Sequence, residues 1–372
     1  MDGDGGASVA MIYLDYQATT PLAPEAFEAM VPLLRDQFAN PHSAHRPGRA
    51  MAAQVEVARD TIAGLIPASG RLFFTSGATE ALNIAIQGAP SGDIVTIATE
   101  HAAVLDTVEV LRRAGRGVTV LPVGADGLVD LDTAAQAIRP GVALVVAMLV
   151  NNEIGVIQPI EALAQMAHGA GALFLCDAVQ GYGRVPIPQS CDMVAISAHK
   201  IHGPKGIGAL WLRDGVSITP LIHGGGQEGG LRSGTLSPAL CAGFGVAARL
   251  MQERAETDAA HVAHLAAMAR DLLSDWTLNG SADQRYPGNL NLRRAGIDGA
   301  RLLSDCRNVA FSLGSACASG SGRPSHVLRA LGLLDAEARG SVRIGFGRYT
   351  TPAELESAAQ ALNRAAALQR AP

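Results

Sequence analysis

Residues 71–89, RLFFTSGATEALNIAIQGA, join an apolar run to a helical pattern through a turn of small and polar residues. The apolar run favours a buried strand, and the apolar positions after the turn recur at helical spacing. The alternation continues to about Leu212, and the further apolar runs are DIVTIATE, VTVLPVG, ALVVAMLVNNEIG, LFLCDAVQ, MVAISAHK and GALWLR. Strands that are apolar throughout are typical of parallel sheets with helices on both faces. The sequence therefore predicts an α/β fold on a largely parallel sheet.

A second group of patterns follows the glycine-rich stretch 223–234. A long helical pattern runs from about Pro238 to Trp276, and an amphipathic helical pattern from Pro352 to Gln369 ends the chain. Between them lie the strand-like runs NLNL, NVAFSLG and SVRIGFG and the helical run SHVLRALG. We expect these elements to form a smaller α+β domain.

The length of 372 residues suits two domains that share an interface. We expect a large domain of residues 15–256 and a small domain of residues 1–14 and 257–372. With 48% hydrophobic and 17% charged residues, the composition is that of a packed globular protein.

The charge distribution argues against several kinds of partner. The net charge is -5, and no block of Lys and Arg stands out, so we expect neither nucleic-acid nor membrane binding. Residues 1–10 have no basic targeting pattern, and no apolar run is long enough to span a bilayer, so we expect a cytoplasmic protein. The five cysteines are scattered without a C-x-x-C pair, which disfavours disulfides and a metal site; they are Cys176, Cys191, Cys241, Cys306 and Cys317.

Polar motifs stand where the predicted strands end. They are TSGATE, TEHA, NNE, DAVQ and SAHK. Ligands of parallel sheets gather beyond the carboxyl ends of the strands, so we expect these motifs to meet in one crevice.

Two of these motifs suggest a phosphorylated aldehyde cofactor. The backbone N–H groups of the turn 76–80 and the Thr79 hydroxyl are suited to bind a phosphate at a helix N-terminus, although Thr79 alone also fits a simple capping residue. Lys200, in a dry cleft, is able to form a Schiff base with an aldehyde, although a lysine at a strand end is more often a surface residue.

Two further residues fit the same cofactor. A carboxylate at Asp177 is able to keep a pyridinium nitrogen protonated, and the alternative is a capping or ion-pairing aspartate. The His101 ring is able to stack on a planar cofactor and move protons, and the alternative is a solvent-facing loop histidine.

Motifs along nearly the whole chain resemble the PLP-dependent cysteine desulfurases of the NifS/IscS kind, group I, in the class V aminotransferase-like family (PLP is pyridoxal 5'-phosphate). The motifs are YLDY with ATTP, NP at 40–41, SGATEALN, TEHAAVLD, VNNEIGVIQPI, CDAVQ, SAHKIHGPKGIGAL, HGGGQEGGLRSGT, GSAC, PSHVLRALGL and VRIGFGRYT. The resemblance implies fold-type I, with a mainly parallel seven-stranded sheet in the large domain, the cofactor PLP and the substrate L-cysteine.

The resemblance also implies roles for individual residues. Lys200 resembles the lysine that binds PLP, Asp177 the pyridinium partner and His101 the stacking acid or base. Asn152 and Gln180 resemble polar groups near the cofactor O3' and the substrate. The positions that resemble phosphate ligands are Ala78, Thr79, Ser197 and His199.

Two more positions concern the substrate and a second subunit. Arg343 resembles the arginine that forks onto the substrate carboxylate, a geometry that lysine does not reproduce. Thr235, in the RSGT motif, resembles the threonine that reaches the cofactor phosphate of a partner subunit, which implies a homodimer. A flexible glycine-rich loop in a monomer is the alternative.

Cys317 resembles the cysteine that receives sulfur as a persulfide while the substrate leaves as alanine. Its GSAC motif and extended small-residue loop resemble the first desulfurase group, which delivers sulfur to protein acceptors such as an iron–sulfur scaffold or to tRNA thiolation. Residues 318–323 depart from the Thr and the Leu-Glu pair of many relatives, and the chain stops at Pro372 without the C-terminal extension of some. We interpret the other four cysteines as structural.

Two alternatives remain open. A selenocysteine lyase, or another class V lyase or aminotransferase, would use Lys200 and Asp177 in the same way. A non-catalytic binding or scaffold protein would be expected to lack the lysine, the aspartate or the loop cysteine, and this sequence has all three.

Overall fold

The computed structural model describes residues 11–313 and 325–370. Its strands are β1 (Ile12–Tyr13), β2 (Gly70–Thr75), β3 (Asp93–Ile97), β4 (Val118–Leu121), β5 (Val142–Met148), β6 (Leu173–Asp177), β7 (Met193–Ser197), β8 (Gly208–Arg213), β9 (Thr277–Leu278), β10 (Asn289–Arg293), β11 (Val309–Ala310), β12 (Ser312–Leu313) and β13 (Ser341–Gly345). Its α-helices are α1 (Pro24–Arg35), α2 (Arg46–Ala63), α3 (Ala78–Gly88), α4 (Ala102–Arg113), α5 (Leu131–Ala137), α6 (Ile160–Gly169), α7 (Pro238–Glu253), α8 (Ala255–Leu272), α9 (Gly299–Asp305), α10 (His326–Ala330), α11 (Asp335–Arg339) and α12 (Pro352–Arg370).

The large sheet has seven strands in the order β2-β8-β7-β6-β5-β3-β4. All its pairs are parallel except those of β8, which runs antiparallel to both β2 and β7. The predicted mainly parallel seven-stranded sheet is confirmed. Strand β8 reverses because only residues 198–207 separate it from β7, and a parallel connection needs a longer crossover.

The side chains of β5 alternate between two apolar clusters, one on each face of the sheet. Val145 and Ala147 pack in a cluster with residues of α2, α6 and α7. Leu144 and Val146 pack in the other cluster with residues of α3 and α4. Successive side chains of a strand point to opposite faces, so a strand covered on both sides is apolar at every position.

A four-stranded antiparallel sheet, β12-β13-β10-β9, forms the second layer of structure, and β1 pairs with β11 beside it. These strands share a separate apolar cluster with α8 and α12, to which Ile12 and Leu14 also belong. The separate cluster favours the predicted division into two domains, whose boundaries remain a prediction.

The helical pattern predicted from about Pro238 to Trp276 is confirmed for most of its length, but it forms two helices and not one. Helix α7 ends at Glu253 and α8 begins at Ala255, because Arg254 has φ -109° and ψ 7°, outside the α-helical region. Helix α7 packs in the core of the large sheet, and α8 packs in that of the small sheet. The break redirects the chain from one core to the other, and no glycine or proline marks it in the sequence.

Length and hydrophobicity together decide whether a helix is able to cross a bilayer. Within residues 11–313 and 325–370, none combines the two to the degree that crossing a bilayer requires.

Candidate active site

A cavity of about 560 Å³ lies beyond the carboxyl ends of the parallel strands of the large sheet. The turns that follow β2, β3, β5, β6 and β7 all contribute to its wall. The structure brings together here these residues selected from the sequence: Ala78, Thr79, His101, Asn152, Asp177, Gln180, Ser197, His199 and Lys200. The individual roles of these residues remain predictions.

Lys200 lies in a short 3-10 turn directly after β7. Its Nζ donates to the backbone carbonyls of Gln17 and Ala18, at 2.5 and 2.8 Å. Burial, together with the charges of Arg343 and Arg184, lowers the pKa of Lys200 to about 8. An amine with such a pKa loses its proton readily and is then a nucleophile.

This pKa predicts how the protein without cofactor takes up PLP. Only the neutral Lys200 amine attacks the aldehyde, so the rate of uptake should rise with pH, reach half of its maximum near pH 8 and level off above it. Stopped-flow absorbance with excess PLP measures this rate. Arg343→Gln removes a charge that lowers this pKa, so its midpoint should lie at higher pH. A midpoint near 10.5, the ordinary lysine value, would contradict the prediction.

Two buried carboxyl groups, of which Asp177 lines the cavity, lie close enough for their charges to interact. Asp177 ends β6, and its Oδ1 accepts the Val179 N–H at 3.0 Å. Glu100 is fully buried; its Oε1 accepts the Met148 N–H at 2.7 Å, and its Oε2 has no partner among the described residues.

The pKa values of the two carboxyl groups are both raised, but by different sets of neighbours. Burial and then the charge of Asp177 raise the pKa of Glu100 well above its usual range. Burial also raises the pKa of Asp177, but the Val179 N–H and the charges of His101 and Lys200 oppose that rise. Only for Asp177, therefore, do neighbouring positive charges oppose the preference for the neutral form that burial gives to both groups.

His101 occupies the N-cap position of α4 and borders the cavity. Its Nδ1 accepts the Ala103 N–H at 3.0 Å. A neutral imidazole has one donor and one acceptor nitrogen, so the proton of the neutral ring is on Nε2. That nitrogen remains available to exchange a proton with a bound molecule.

The turn before α3 has the features of an anion site, as the sequence predicts. Thr79 is the second residue of α3, and no side chain caps the helix after Gly77, so the capping interpretation of Thr79 is wrong. The first N–H groups of the helix thus border the cavity without a capping side chain. A Cβ on Gly208 would lie 2.7 Å from the Gly77 carbonyl carbon, so only glycine in β8 permits the turn to lie this close.

His199 and Ser197 border the same end of the cavity. Burial and the charges of Lys200 and Lys205 lower the pKa of His199 to about 4, so the ring is neutral near pH 7. Its Nδ1 lies 3.2 Å from the Thr19 Oγ1. Lys205 itself lines the cavity and adds a cation near the anion site.

Two ion pairs that the sequence patterns do not reveal fix the glycine-rich stretch, one to α2 and one to α3. Arg59 and Glu228 form a buried pair at 2.7 Å, and Glu228 has φ 51°. Arg232 pairs with Glu80 at 2.6 Å, and Glu80 also accepts the Ser76 N–H at 2.7 Å. Glu80 therefore holds the phosphate turn and the start of the RSGT motif together.

Among the described residues, two predicted site residues do not line the cavity. Arg343 lies behind Asn152, donates to its carbonyl at 3.0 Å, and forms a 2.7 Å ion pair with Asp15. Thr235 is exposed at the end of the glycine-rich stretch. Cys317 and its loop lie outside the described residues. The other four cysteines are buried free thiols.

Several residues of the site were not singled out from the sequence. Gln17 accepts from Gln180 Nε2 at 2.9 Å as well as from Lys200, and Thr19 contacts His199. Glu100 is the residue immediately before His101, and a charged residue at the end of an apolar strand was the one signal for it.

Comparison with known proteins gives the family. A model of class V aminotransferases matches residues 12–357. The cysteine desulfurase IscS of Rickettsia bellii is 46% identical over 364 residues, which are 93% of this chain and 89% of the relative. The mitochondrial cysteine desulfurase of Eremothecium gossypii is 46% identical over 367 residues, 94% of this chain and 75% of the relative. The X-ray structure of a NifS-like protein from Rickettsia africae has a TM-score of 0.88 and 30% identity, over 95% of this chain and 99% of that one.

The cavity fits the cofactor PLP, on which class V aminotransferases and cysteine desulfurases depend. The uncapped N-terminus of α3 suits a phosphate, and the buried carboxyl group of Asp177 suits a protonated ring nitrogen. Lys200 contributes the amine that an aldehyde requires. The chain therefore belongs to the class V aminotransferase family and, within it, to the cysteine desulfurases.

Proposed function

We propose that this protein removes sulfur from L-cysteine, releases L-alanine and carries the sulfur as a persulfide on Cys317 to an acceptor protein. The observation that carries the proposal is the cavity itself. It holds an amine of lowered pKa, Lys200, together with the buried carboxylate of Asp177 and the uncapped N-terminus of α3.

Different residues of the cavity bind different parts of PLP. The N–H groups of Ala78 and Thr79 hold the phosphate, together with Ser197 and His199. Asp177 keeps the ring nitrogen protonated, and His101 stacks on the ring. PLP, when bound, supplies an electron sink for the charge that develops on the substrate Cα.

Lys200 and His101 move the protons of the reaction. Lys200 takes the proton from the substrate Cα, and its pKa of about 8 lets it accept and return a proton near neutral pH. His101 presents a proton on Nε2 toward the cavity. Asn152 and Gln180 orient polar groups of the cofactor and the substrate, and Arg343 binds the substrate carboxylate.

The Cys317 thiolate attacks the substrate sulfur. A sulfur–sulfur bond forms and the substrate Cβ–S bond breaks; its electron pair stays with the carbon skeleton, which takes up a proton and leaves as alanine. The described residues on both sides of the Cys317 loop support this role. Ser312 donates to Asp15 at 2.8 Å, and His326 Nε2 lies 2.9 Å from the Glu100 carbonyl oxygen, so both flanks are held beside the cavity.

The partners are proposed on the same basis. Two relatives are named as cysteine desulfurases, which favours delivery of sulfur to an iron–sulfur scaffold, with tRNA thiolation as a second route. We propose a homodimer in which the exposed Thr235 of each subunit reaches the cofactor phosphate of the other. We also propose a cytoplasmic location.

The product pair tests the proposed function. Purified holoenzyme incubated with L-cysteine and a thiol reductant should release sulfide and alanine in equal amounts, and L-serine, which lacks the sulfur, should yield neither sulfide nor alanine. Sulfide is measured colorimetrically and alanine by chromatography. Selenide from selenocysteine without sulfide from cysteine would favour a selenocysteine lyase, and a keto acid product would favour an aminotransferase.

A further inference from the structure

We propose that Asp15 occupies the place of the substrate carboxylate on Arg343, and that a substrate binds by replacing it. Asp15 is therefore a positioning residue that sets the affinity for amino-acid substrates. The inference rests on the proposed function in one respect, the role of Arg343 as the carboxylate-binding residue.

Most N–H donors of the Arg343 guanidinium are already engaged in hydrogen bonds. Nη1 donates to the Asn152 carbonyl at 3.0 Å. Nη2 donates to the Asp15 Oδ1 at 2.7 Å and to the Ser312 Oγ at 3.0 Å. Nε is buried and has no partner among the described residues.

A forked carboxylate needs two parallel donors from one edge of the guanidinium. One edge pairs Nη1 with Nη2, and another pairs Nε with Nη2, so either of these forks uses a hydrogen of Nη2. Both hydrogens of Nη2 are already engaged, one by Asp15 and one by Ser312. A substrate carboxylate therefore forks on Arg343 at Nη2 only after Asp15 or Ser312 withdraws.

Asp15 and Ser312 are suited to withdraw together. The Ser312 hydroxyl donates to the same Asp15 Oδ1, at 2.8 Å, so a released Asp15 keeps a hydrogen-bond donor. The Asp15 side chain is 18% exposed, and water reaches the carboxylate as it turns away. The exchange thus leaves no buried carboxylate without a partner.

The backbone around Asp15 stays in place during such an exchange. The Gly345 N–H donates to the Leu14 carbonyl at 2.8 Å, and the Tyr16 N–H donates to the Gly345 carbonyl at 3.3 Å. These bonds fix the segment to β13, the strand that carries Arg343. A rotation of the Asp15 side chain is therefore sufficient.

The exchange also preserves the charge balance around Lys200. The charge of Arg343 lowers the pKa of Lys200, and that of Asp15 raises it. When a substrate carboxylate replaces Asp15, a negative charge remains on Arg343. Without Asp15 and without substrate, the unpaired Arg343 should lower the pKa of Lys200 further.

Asp15→Asn tests the inference in the holoenzyme. We expect both the dissociation constant for L-alanine, followed by cofactor absorbance, and the KM for L-cysteine to fall about fivefold, because the competing charge is lost. In the protein without cofactor, the pH midpoint of PLP uptake should move below that of the wild type. Ser312→Ala is the matched control, since it removes the other Nη2 partner but no charge, and it should change both quantities less.

The opposite result overturns the inference. Weaker binding of L-alanine to Asp15→Asn would show that Asp15 orients Arg343 for the substrate. Unchanged binding of L-alanine to Arg343→Gln would remove the carboxylate role of Arg343, and the inference with it. If the wild type released no sulfide but Asp15→Asn still bound L-alanine more tightly, the proposed function would fail while the exchange at Arg343 stood.

Discussion

Replacement of Cys317 by alanine is expected to leave PLP bound and to abolish persulfide formation. The residues that we propose to bind the cofactor do not include Cys317, so the absorbance of the bound cofactor should stay that of the wild type. No other cysteine of the described chain is suited to take its place. Burial raises the pKa of Cys241 to about 12 and also raises that of Cys306, so both remain protonated thiols at neutral pH.

Mass spectrometry after incubation with L-cysteine and an alkylating label measures this effect. The wild type should carry one additional sulfur on the peptide with Cys317, and Cys317→Ala should carry none on any peptide while its release of sulfide falls to the level without enzyme. Cys306→Ala removes a buried thiol from the apolar cluster of the four-stranded sheet. This variant should still form the persulfide on Cys317. A persulfide on Cys176, Cys191, Cys241 or Cys306 in the Cys317→Ala protein would contradict the assignment.

The sequence predicted those parts of the fold that depend on local pattern. Each of the seven strands of the large sheet coincides with an apolar run of the sequence, because a strand covered on both faces is apolar throughout. The break at Arg254 was not predicted, because it depends on which core each half of the pattern joins. The reversed direction of β8 likewise depends on the connection to β7 and leaves no mark in the apolar run.

The sequence likewise predicted some features of the candidate site but not others. The residues that follow strands were found from the sequence, since position at a strand end already places them in the crevice. The contacts of Arg343 with Asp15 and of Lys200 with Gln17 join residues that are far apart in the chain. The sequence motifs name such residues but do not show which of them touch. Glu100 was missed because its raised pKa depends on its burial beside Asp177, which the sequence does not show.

Asp177→Asn is expected to reduce the release of alanine by about 10²–10³-fold, a loss similar to that from removing one preorganised hydrogen-bonding group of an active site. Asparagine has nearly the shape of aspartate but carries no charge, so it does not keep the ring nitrogen of PLP protonated. The cation of the ring, in turn, favours the charged form of Asp177 over the neutral form that burial favours in its absence.

Glu100→Gln is the matched control, because Glu100 is the second buried carboxyl group beside Asp177 and its burial raises its pKa well above the usual range, which favours the neutral form. A glutamine carbonyl accepts the Met148 N–H as the Glu100 Oε1 does, so this variant should lose far less activity than Asp177→Asn. The absorbance of the bound cofactor is the second measurement, and it should change in Asp177→Asn but not in Glu100→Gln. Equal losses in the two variants would show that the pair acts through a shared proton, and Asp177 alone would then not be the partner of the ring nitrogen.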